Sequence, residues 1–389
     1  MTTYVEKKKN LMKTINGINK RFGANSVMLA SDAAKQGLLT KRRIKTPSLE
    51  INDMLSGGFT GIVELYGPTG SGKTSLAIET IAHNQKEDPE FIAAWLETEG
   101  SVTEEILQKH GVDMERLIYW RQEDVGNAES ALDISRAFIA GGDIDMMVIN
   151  SVAGLAPKTE TEDDLDKQNI ALVARLLSKY FRVITGQASK NNVTILFINQ
   201  VRDNVGAMYG GPTTTGGKAL GFYASQRVFM NQNKLEASDP IKKEEGMKIG
   251  CISKKNRFCL NGDPFTKCVY YVTYVNGIDS IVPIPAMLIS KGIIKQSGSW
   301  LSYEENGKIA SVEGVTCKWQ GKNNFIDALR TNEAFKTFFV GKLDNLSVRQ
   351  TDEEIAETER EEKELAKEFE EIEKQEEAAD IDRVLQENE

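Results

Sequence analysis

A glycine-rich segment, Gly67-Pro-Thr-Gly-Ser-Gly-Lys-Thr74, has the residue types of a loop that binds phosphate. Glycines let backbone N–H groups turn inward toward phosphate oxygens, and a following helix adds partial positive charge at its N-terminus. Lys73 can reach the β- and γ-phosphates of a nucleotide, and Thr74 can place its hydroxyl on Mg²⁺. The apolar run 61–66 before the segment and the helical pattern after it supply the strand and the helix that this loop requires.

The segment therefore predicts a site for a nucleoside triphosphate, with Thr74 as the protein ligand of the metal. The residues expected to contact the nucleotide here are consecutive: Gly67, Pro68, Thr69, Gly70, Ser71, Gly72, Lys73, Thr74 and Ser75.

Near-continuous apolar runs separated by helical patterns predict a parallel sheet that is covered on both faces. The predicted strands are 61–66, 91–97, 146–150 and 193–199. Ligands of such sheets bind beyond the carboxyl ends of the strands. Polar residues fall at those ends, namely Glu97, Glu99, Asn150, Ser151, Asn199 and Gln200. We therefore expect them to lie near the loop.

Other patterns surround this central block. Strand-like runs follow at 227–232, 247–253 and 268–275. Residues 4–22 form a helical pattern with one apolar stripe, made of Leu11, Met12, Ile15, Ile18 and Phe22. The stripe must be buried either against the chain's own core or against a neighbouring subunit, and the sequence leaves both open.

The net charge of −9 conceals an uneven distribution. Residues 352–389 hold 18 acidic and 5 basic side chains, a net of −13, so residues 1–351 carry +4. A mildly basic body with an acidic tail favours a protein that binds a polyanion. The alternative for the tail is a solubilising segment.

Composition also excludes several classes of site. The only two histidines, His83 and His110, argue against a Ser-His triad or a zinc protease motif. The four cysteines form no CxxC pair, which is typical of reduced thiols. No apolar run reaches the roughly 18 residues that span a bilayer, and the first residues lack the apolar core of a secretion signal. The expectation is a cytoplasmic protein without a membrane partner.

Four further segments, together with the phosphate loop, resemble the RecA recombinase family in order and spacing. They are Trp95–Glu99, Ile144–Pro157, Ile195–Arg202 and Gly210–Ser225. The stretch Ile18–Met28 is similar to the start of that family. The resemblance covers about residues 10–300 and is weak from 301 to 350, whereas the tail is similar only in being acidic.

The resemblance implies catalytic roles in addition to that of Lys73. Glu99 matches the carboxylate that orients the attacking water, and Gln200 matches the glutamine that senses the γ-phosphate. Lys255 and Arg257 match basic residues that reach the ATP of the adjacent subunit, as an arginine finger does. A solvated basic strand end is the alternative for this pair.

The resemblance also implies two DNA-binding loops, at 158–170 and 201–217. Val205 and Tyr209 are placed to wedge or stack between bases, which is sequence-tolerant recognition. For Arg175 and Arg182 the alternative is ordinary surface charge. The expected DNA contacts are Ile170, Arg175, Ser178, Arg182, Arg202, Val205, Tyr209, Gly216 and Gly217.

The chain departs from the family pattern around the nucleotide. Asn150, expected to contact the cofactor, stands where the family has an aspartate that supports the Mg²⁺ shell. Asparagine accepts a hydrogen bond but brings no charge, so slower or altered turnover is expected, partly offset by Glu97 or Glu99. Ile106 and Thr103 stand where the family has a tyrosine that stacks on adenine and an aspartate. The second DNA-binding loop is one residue shorter.

These observations predict an α/β fold with a RecA-type core around a mostly parallel sheet. The expected regions are an oligomerisation segment (1–33), the ATPase core (34–275), a small α/β domain (276–350) and the acidic tail (351–389). The implied function is an ATP- and Mg²⁺-dependent recombinase that coats single-stranded DNA as a helical homo-oligomer and pairs it with homologous duplex DNA. Single-strand-binding or mediator proteins are further expected partners. The alternatives are a helicase or other motor, and a filament with little turnover because of Asn150.

Overall fold

The computed structural model describes residues 3–162, 172–202 and 213–347, apart from 238, 261 and 313. Its main sheet has the strand order β3-β2-β4-β5-β1-β7-β8-β9-β10, with β6 paired to β5. The strands of this sheet are β1 (Ile62–Gly67), β2 (Ala93–Glu97), β3 (Leu117–Arg121), β4 (Met146–Asn150), β5 (Thr194–Arg202), β6 (Thr213–Thr214), β7 (Gln226–Asn233), β8 (Gly246–Asn256), β9 (Lys267–Thr273) and β10 (Gly277–Ile278).

The strands from β3 to β7 along this order are parallel, and β8 to β10 continue the sheet in antiparallel pairing. Every residue of β1, β2 and β4 is buried, because a hydrophobic core lies on each face of the sheet. The mostly parallel sheet that the apolar runs predicted is confirmed. All of the predicted strands are present within a few residues of the expected ends.

Strand β3 was not predicted, and its position explains why. It is the edge strand beside β2, and only one side of its backbone is paired. Its residues are partly or fully exposed, so it shows no continuous apolar run. A half-exposed edge strand gives a weaker sequence signal than a strand buried on both faces.

Helices connect and cover the strands of the sheet. In chain order they are α1 (Tyr4–Phe22), α2 (Ala30–Lys35), α3 (Leu49–Met54), α4 (Lys73–Glu87), α5 (Glu104–Lys109), α6 (Gln122–Val125), α7 (Ala128–Gly141), α8 (Lys158–Glu162), α9 (Leu172–Asn191) and α10 (Lys218–Tyr223). No helix in these described ranges is both long and apolar enough to cross a membrane.

Helix α1 has the predicted bounds, and Thr3 and Glu6 form a capping box at its start. Ile15 is buried, but Leu11 is 48% exposed and Phe22 is 67% exposed. Most of the apolar stripe therefore faces solvent in the single chain.

A second, smaller unit follows the main sheet. Its elements are α11 (Ile284–Ser290), β11 (Ile294–Ser297), β12 (Trp300–Glu305), β13 (Lys308–Ile309), β14 (Ser311–Val312), β15 (Val315–Thr316), β16 (Lys318–Gln320), α12 (Gly321–Thr331) and α13 (Glu333–Ser347). It has its own hydrophobic core, in which Trp319 stacks on Phe325 with ring centroids 3.9 Å apart. Strand β10, just past the expected boundary at 275, still pairs with the main sheet. The acidic tail lies outside the described residues.

Candidate functional site

The carboxyl ends of four neighbouring strands meet at one edge of the sheet. Gly67 at the end of β1 is in register with Gln200 of β5, and Glu97 of β2 is in register with Asn150 of β4. Parallel pairing places the residues that end these strands side by side. The structure therefore brings together the polar residues that the sequence pattern placed at strand ends.

The phosphate loop runs from the end of β1 to the start of α4, and glycine is required at two kinds of position in it. A Cβ on Gly67 would lie 2.0 Å from the carbonyl oxygen of Met230, so no side chain fits between β1 and β7. Gly70 and Gly72 both have φ of 79°, a conformation that residues with a Cβ rarely adopt. Helix α4 begins directly at Lys73, so its free N–H groups open toward the loop.

Lys73 is buried and makes three hydrogen bonds within its own loop. Its Nζ donates to the carbonyl oxygens of Gly67 at 3.0 Å and Pro68 at 2.8 Å, and to Ser71 Oγ at 3.2 Å. Burial lowers the pKa of this ammonium, and the nearby Glu99 carboxylate opposes that effect. The loop thus holds one positive charge, with neutral oxygens as its direct partners.

A cavity of about 190 Å³ opens above the loop. Its lining residues are Thr69, Gly70, Ser71, Gly72, Lys73, Thr74, Ser75, Glu99, Ile198 and Gln200. Three of the five predicted catalytic residues (Lys73, Glu99 and Gln200) therefore share one cavity with most of the predicted nucleotide contacts. Backbone N–H groups, one cation and a hydroxyl at the start of a helix suit a polyphosphate.

Glu99 is held by two side chains. Its Oε1 accepts a hydrogen bond from Gln200 Nε2 at 2.8 Å and another from Ser151 Oγ. These contacts hold the carboxylate in the lining of the cavity that it shares with the loop. A carboxylate in this place can accept a proton from water and orient it, as a general base does.

A second carboxylate, Glu97, is fully buried, and its Oε1 accepts from the backbone N–H of Glu99 at 3.0 Å. Its Oε2 accepts from Asn150 Nδ2 at 3.0 Å and from Trp95 Nε1 at 2.8 Å. The Oδ1 of Asn150 accepts in turn from the Thr74 hydroxyl at 3.5 Å. A continuous chain of contacts thus joins the predicted metal ligand to Asn150 and then to Glu97.

The hydroxyl of Thr74 and the amide oxygen of Asn150 are the kind of oxygen donor that Mg²⁺ accepts. Mg²⁺ keeps several waters and usually takes one or two carboxylates together with phosphate oxygens. Thr74 and Asn150 therefore fit an ion that takes its other ligands from phosphate and water, and the Glu99 carboxylate lines the same cavity as Thr74.

The predicted second DNA-binding loop begins and ends beside Gln200. Val201 pairs with Thr214 and Arg202 with Thr213, which makes a short antiparallel ladder. Asn199 Nδ2 donates both to Glu64 Oε1 at 2.9 Å and to the carbonyl oxygen of Thr215 at 3.0 Å. The end of the loop is thus tied to the strand beside the nucleotide cavity.

Gly216 has a positive φ and packs closely. A Cβ there would lie 2.8 Å from Leu177 Cδ1 and 2.9 Å from Val152 Cγ1. Gly217, also at positive φ, precedes helix α10. These two glycines let the segment cross between α9 and the turn that follows β4.

The other predicted DNA contacts fall into three groups. Arg175 and Arg182 are exposed on helix α9, and Ser178 beside them donates to the carbonyl oxygen of Ala174 at 2.7 Å. Arg202 lies within strand β5. Ile170, Val205 and Tyr209 lie outside the described residues.

Lys255 and Arg257 do not line the nucleotide cavity of their own chain. Lys255 Nζ donates to the carbonyl oxygens of Gly221 at 3.0 Å and Phe222 at 2.9 Å, and Arg257 Nη2 donates to Phe222 at 3.2 Å. Both cations thus gather around the end of α10.

Thr103 has a local structural role at its departure from the family pattern. It is the N-cap of α5, and its hydroxyl accepts from the backbone N–H of Ile106 at 3.4 Å. Ile106 itself is partly exposed on that helix.

Sequence reasoning missed Trp95 and Ser101 as side-chain partners of the carboxylates, and it placed Ser151 near the loop without predicting its contact with Glu99. Ser101 Oγ contacts Glu97 Oε1 at 3.4 Å and accepts from Asn150 Nδ2 at 3.1 Å. Their nearness to strand ends was a usable signal, but their partners depend on turn geometry that no spacing rule gives.

Comparison with known proteins agrees with this site. The family model described as the RecA N-terminal domain matches residues 9–279. The protein named Protein RecA of Acinetobacter baylyi is 34% identical over 363 residues, which cover 92% of this chain and 97% of that relative. Protein RecA of Bacteroides thetaiotaomicron is 40% identical over 77% of this chain and 88% of the relative. Protein RecA of Mycoplasma mycoides is 36% identical, with 84% and 90% covered.

The family match and the three relatives each cover far more of the chain than the phosphate loop. They favour a recombinase over a motor or a filament without turnover. The chain belongs to the RecA family.

Proposed function

We propose that this chain is an ATP-dependent DNA recombinase, which forms filaments on single-stranded DNA and exchanges that strand with homologous duplex. The observation that carries the proposal is the meeting of Lys73, Glu99 and Gln200 around one cavity, with Gln200 at the start of the second loop. Together with the family membership, this arrangement supports a site in which nucleotide state and DNA contact are linked.

The loop residues bind the triphosphate. Backbone N–H groups of 70–74 surround the phosphates, and Lys73 exchanges its carbonyl partners for phosphate oxygens. Bound Mg²⁺ would neutralise phosphate charge, with Thr74 and Asn150 holding it on the protein side. Glu99 orients the water that attacks the γ-phosphate, because its carboxylate lines the same cavity as the loop.

Gln200 connects hydrolysis to DNA. Its amide donates to Glu99 at 2.8 Å, while its backbone N–H donates to Asn199 Oδ1 at 2.9 Å. A γ-phosphate offers the Gln200 amide a second charged acceptor, which competes with the Glu99 carboxylate. Movement of Gln200 would then shift the start of the second loop, which is how one hydrogen bond changes DNA affinity.

DNA is held without reading its sequence. Arg175 and Arg182 are exposed on α9 and can contact phosphates, and the N–H groups of Gly216 and Gly217 can do the same. Specificity comes from base pairing between the bound strand and the duplex, so no base-reading motif is needed.

The test of this function is a paired measurement of ATP hydrolysis with and without single-stranded DNA, and of strand exchange with homologous and unrelated duplexes. We expect hydrolysis that depends on DNA and exchange that depends on homology. Unwinding of a forked duplex without exchange would indicate a motor instead. Nucleotide-gated DNA binding without hydrolysis would indicate a filament that does not turn over.

The proposed role of Lys255 and Arg257 in the neighbouring site has its own test. Lys255→Ala should lose turnover while the monomer's affinity for nucleotide is unchanged. Mixing Lys255→Ala with Lys73→Ala should restore part of the activity, because about a quarter of random head-to-tail contacts then combine an intact loop with an intact Lys255. Equal loss of monomer binding would place these cations in their own chain's site.

A further inference from the structure

Asn150 is a neutral residue at the centre of a site built for a metal and a polyphosphate. The atoms around it show how its amide is oriented. Nδ2 faces Glu97 Oε2 at 3.0 Å and Ser101 Oγ at 3.1 Å, and Oδ1 faces Thr74 Oγ1 at 3.5 Å. The opposite orientation would set the amide oxygen against the Glu97 carboxylate, which repels it. Glu97 therefore selects the orientation that presents an oxygen to Thr74.

Glu97 accepts every hydrogen bond that its side chain makes among the described residues. Oε2 accepts from Asn150 and from Trp95 Nε1 at 2.8 Å. Oε1 accepts from the backbone N–H groups of Glu99 at 3.0 Å and Ser101 at 3.3 Å, and from Ser101 Oγ at 3.4 Å. Both oxygens of Glu97 are therefore used as acceptors, and neither donates to any of these partners. None of these partners is a cation, so its negative charge is uncompensated within this set.

We propose that Glu97 is a positioning residue for the metal site: it fixes the Asn150 amide toward Thr74 and supplies, from strand β2, the negative charge that Asn150 does not bring to β4. This inference rests on the proposed nucleotide site and adds the residue that sets its charge. Glu97 and Asn150 are register partners at adjoining strand ends. A carboxylate on β2 is therefore separated from Thr74 only by the side-chain amide of Asn150.

The proposal reverses the simple expectation for position 150. If the site merely lacked a charge, Asn150→Asp would improve it. With Glu97 in place, the same change puts a carboxylate oxygen about 3 Å from Glu97 Oε2 in place of the amide that donates to it, so a hydrogen bond is replaced by repulsion between like charges. Asparagine is then the residue that Glu97 requires, and the two positions form a matched pair.

The test is a double-mutant cycle of Glu97→Gln and Asn150→Asp, read as the Mg²⁺ concentration that half-saturates binding of a fluorescent ADP analogue. No DNA or hydrolysis is needed. Glu97→Gln should raise this concentration about 10- to 100-fold, the usual cost of losing an outer partner of a metal site. Asn150→Asp alone should also raise the half-saturating Mg²⁺ concentration. In the Glu97→Gln background, the same Asn150→Asp change should lower that concentration by about 10-fold.

The double variant should not regain the full wild-type affinity for Mg²⁺. The NH2 group that Glu97→Gln introduces must face donors that a carboxylate oxygen accepted from in the wild type. The control is Glu104→Gln at the start of α5. It removes an exposed carboxylate that accepts from Gln108, and it should leave the Mg²⁺ dependence of binding unchanged. Binding measured in EDTA and thermal unfolding of each variant separate a metal effect from a folding defect. Variants with lower stability but unchanged Mg²⁺ dependence would show a purely structural role.

The proposal is overturned if Glu97→Gln binds with the wild-type Mg²⁺ dependence, or if Asn150→Asp acts in the same direction in both backgrounds. Wild-type protein that binds nucleotide in this way yet never hydrolyses it with DNA would contradict the proposed function while leaving the Glu97 result intact. Absence of any nucleotide binding would overturn both.

Discussion

At the scale of single residues, the site depends on charges that have few partners of opposite sign. Lys73 contacts two carbonyl oxygens and a hydroxyl, and burial lowers its pKa. The Lys73 ammonium is stabilised further when a phosphate oxygen replaces a neutral partner, because a hydrogen bond between two charged groups is stronger than one to a neutral oxygen. The loop is thus arranged around a cation that a phosphate stabilises.

Lys73→Ala removes the only side-chain cation of the loop. Hydrolysis of ATP should fall by at least about 100-fold, comparable with the loss of a preorganised donor in other active sites. The measurements are DNA-stimulated hydrolysis, strand exchange and thermal unfolding. Lys86→Ala, which removes the same charge from the last turn of α4, is the control and should behave as wild type. Normal exchange by well-folded Lys73→Ala protein would refute the assignment of the loop.

At the scale of elements, α4 links the nucleotide loop to the far edge of the sheet. Glu79 on this helix accepts a hydrogen bond from the backbone N–H of Ile278 in β10 at 2.8 Å. His110 Nδ1 lies 3.3 Å from the other carboxylate oxygen. Burial raises the pKa of Glu79 to about 7, and burial lowers the pKa of His110. Glu50, in α3, also has its pKa raised to about 7 by burial.

Glu79 should make stability depend on pH. Its folded-state pKa is above the unfolded value, so the folded state binds more protons between about pH 4.5 and 7, and stability falls as pH rises through that window. Glu79→Gln keeps an acceptor for the backbone N–H of Ile278. It should remove the pH-dependent part of the unfolding free energy that Glu79 contributes, which is at most about 3 kcal/mol. The check is the unfolding temperature at about pH 5 and about pH 7.5. The slope should be smaller than in wild type and in the Glu87→Gln control; an unchanged slope would show that Glu79 does not titrate there.

Helix α1 is the proposed contact with a neighbouring subunit, since Leu11 and Phe22 are largely exposed in the single chain. Replacing both by serine should weaken self-association at least about 10-fold, because each buried side chain is worth about 1.5–3 kcal/mol. Sedimentation measures assembly, and a fluorescent nucleotide checks that the monomer's site is intact. Lys13→Ser on the same helix is the control. Unaltered assembly of the serine variant would show that the stripe is not a subunit contact.

The elements also show what a sequence can predict. Strands buried on both faces were readable as apolar runs, whereas edge strand β3 was not, because exposure interrupts the pattern. Parallel register made Gln200 and Glu99 foreseeable neighbours of the loop. The pairing of Asn150 with Glu97 was not foreseeable, because it depends on which way an amide turns in a packed site.

At the scale of the whole molecule, charge is separated along the chain. The acidic tail carries −13 and residues 1–351 carry +4. The tail can compete with DNA phosphates for the basic surface and can hold Mg²⁺ loosely. Such competition is screened beyond about 10 Å at 0.1 M salt.

Truncation after Gln350 should therefore raise affinity for duplex DNA, chiefly at low salt, and lower the Mg²⁺ needed for strand exchange. Binding of single strands should change less, because stacking is not opposed by charge. Salt titrations of duplex binding by full-length and truncated protein decide the matter. Superimposable curves would leave the tail with a solubilising role only.

The contact between Trp95 and Glu97 has an optical consequence. The indole is fully buried, and its N–H donates to the carboxylate that borders Asn150. Emission from an indole shifts with the electric field across its ring, so we expect the colour of Trp95 fluorescence to change when a charged ligand binds near Asn150. Of the four tryptophans, all within the described ranges, Trp95 alone donates to a site carboxylate. A nucleotide-dependent shift in emission that is lost in Trp95→Phe would make this indole an intrinsic probe of the site, with no dye attached.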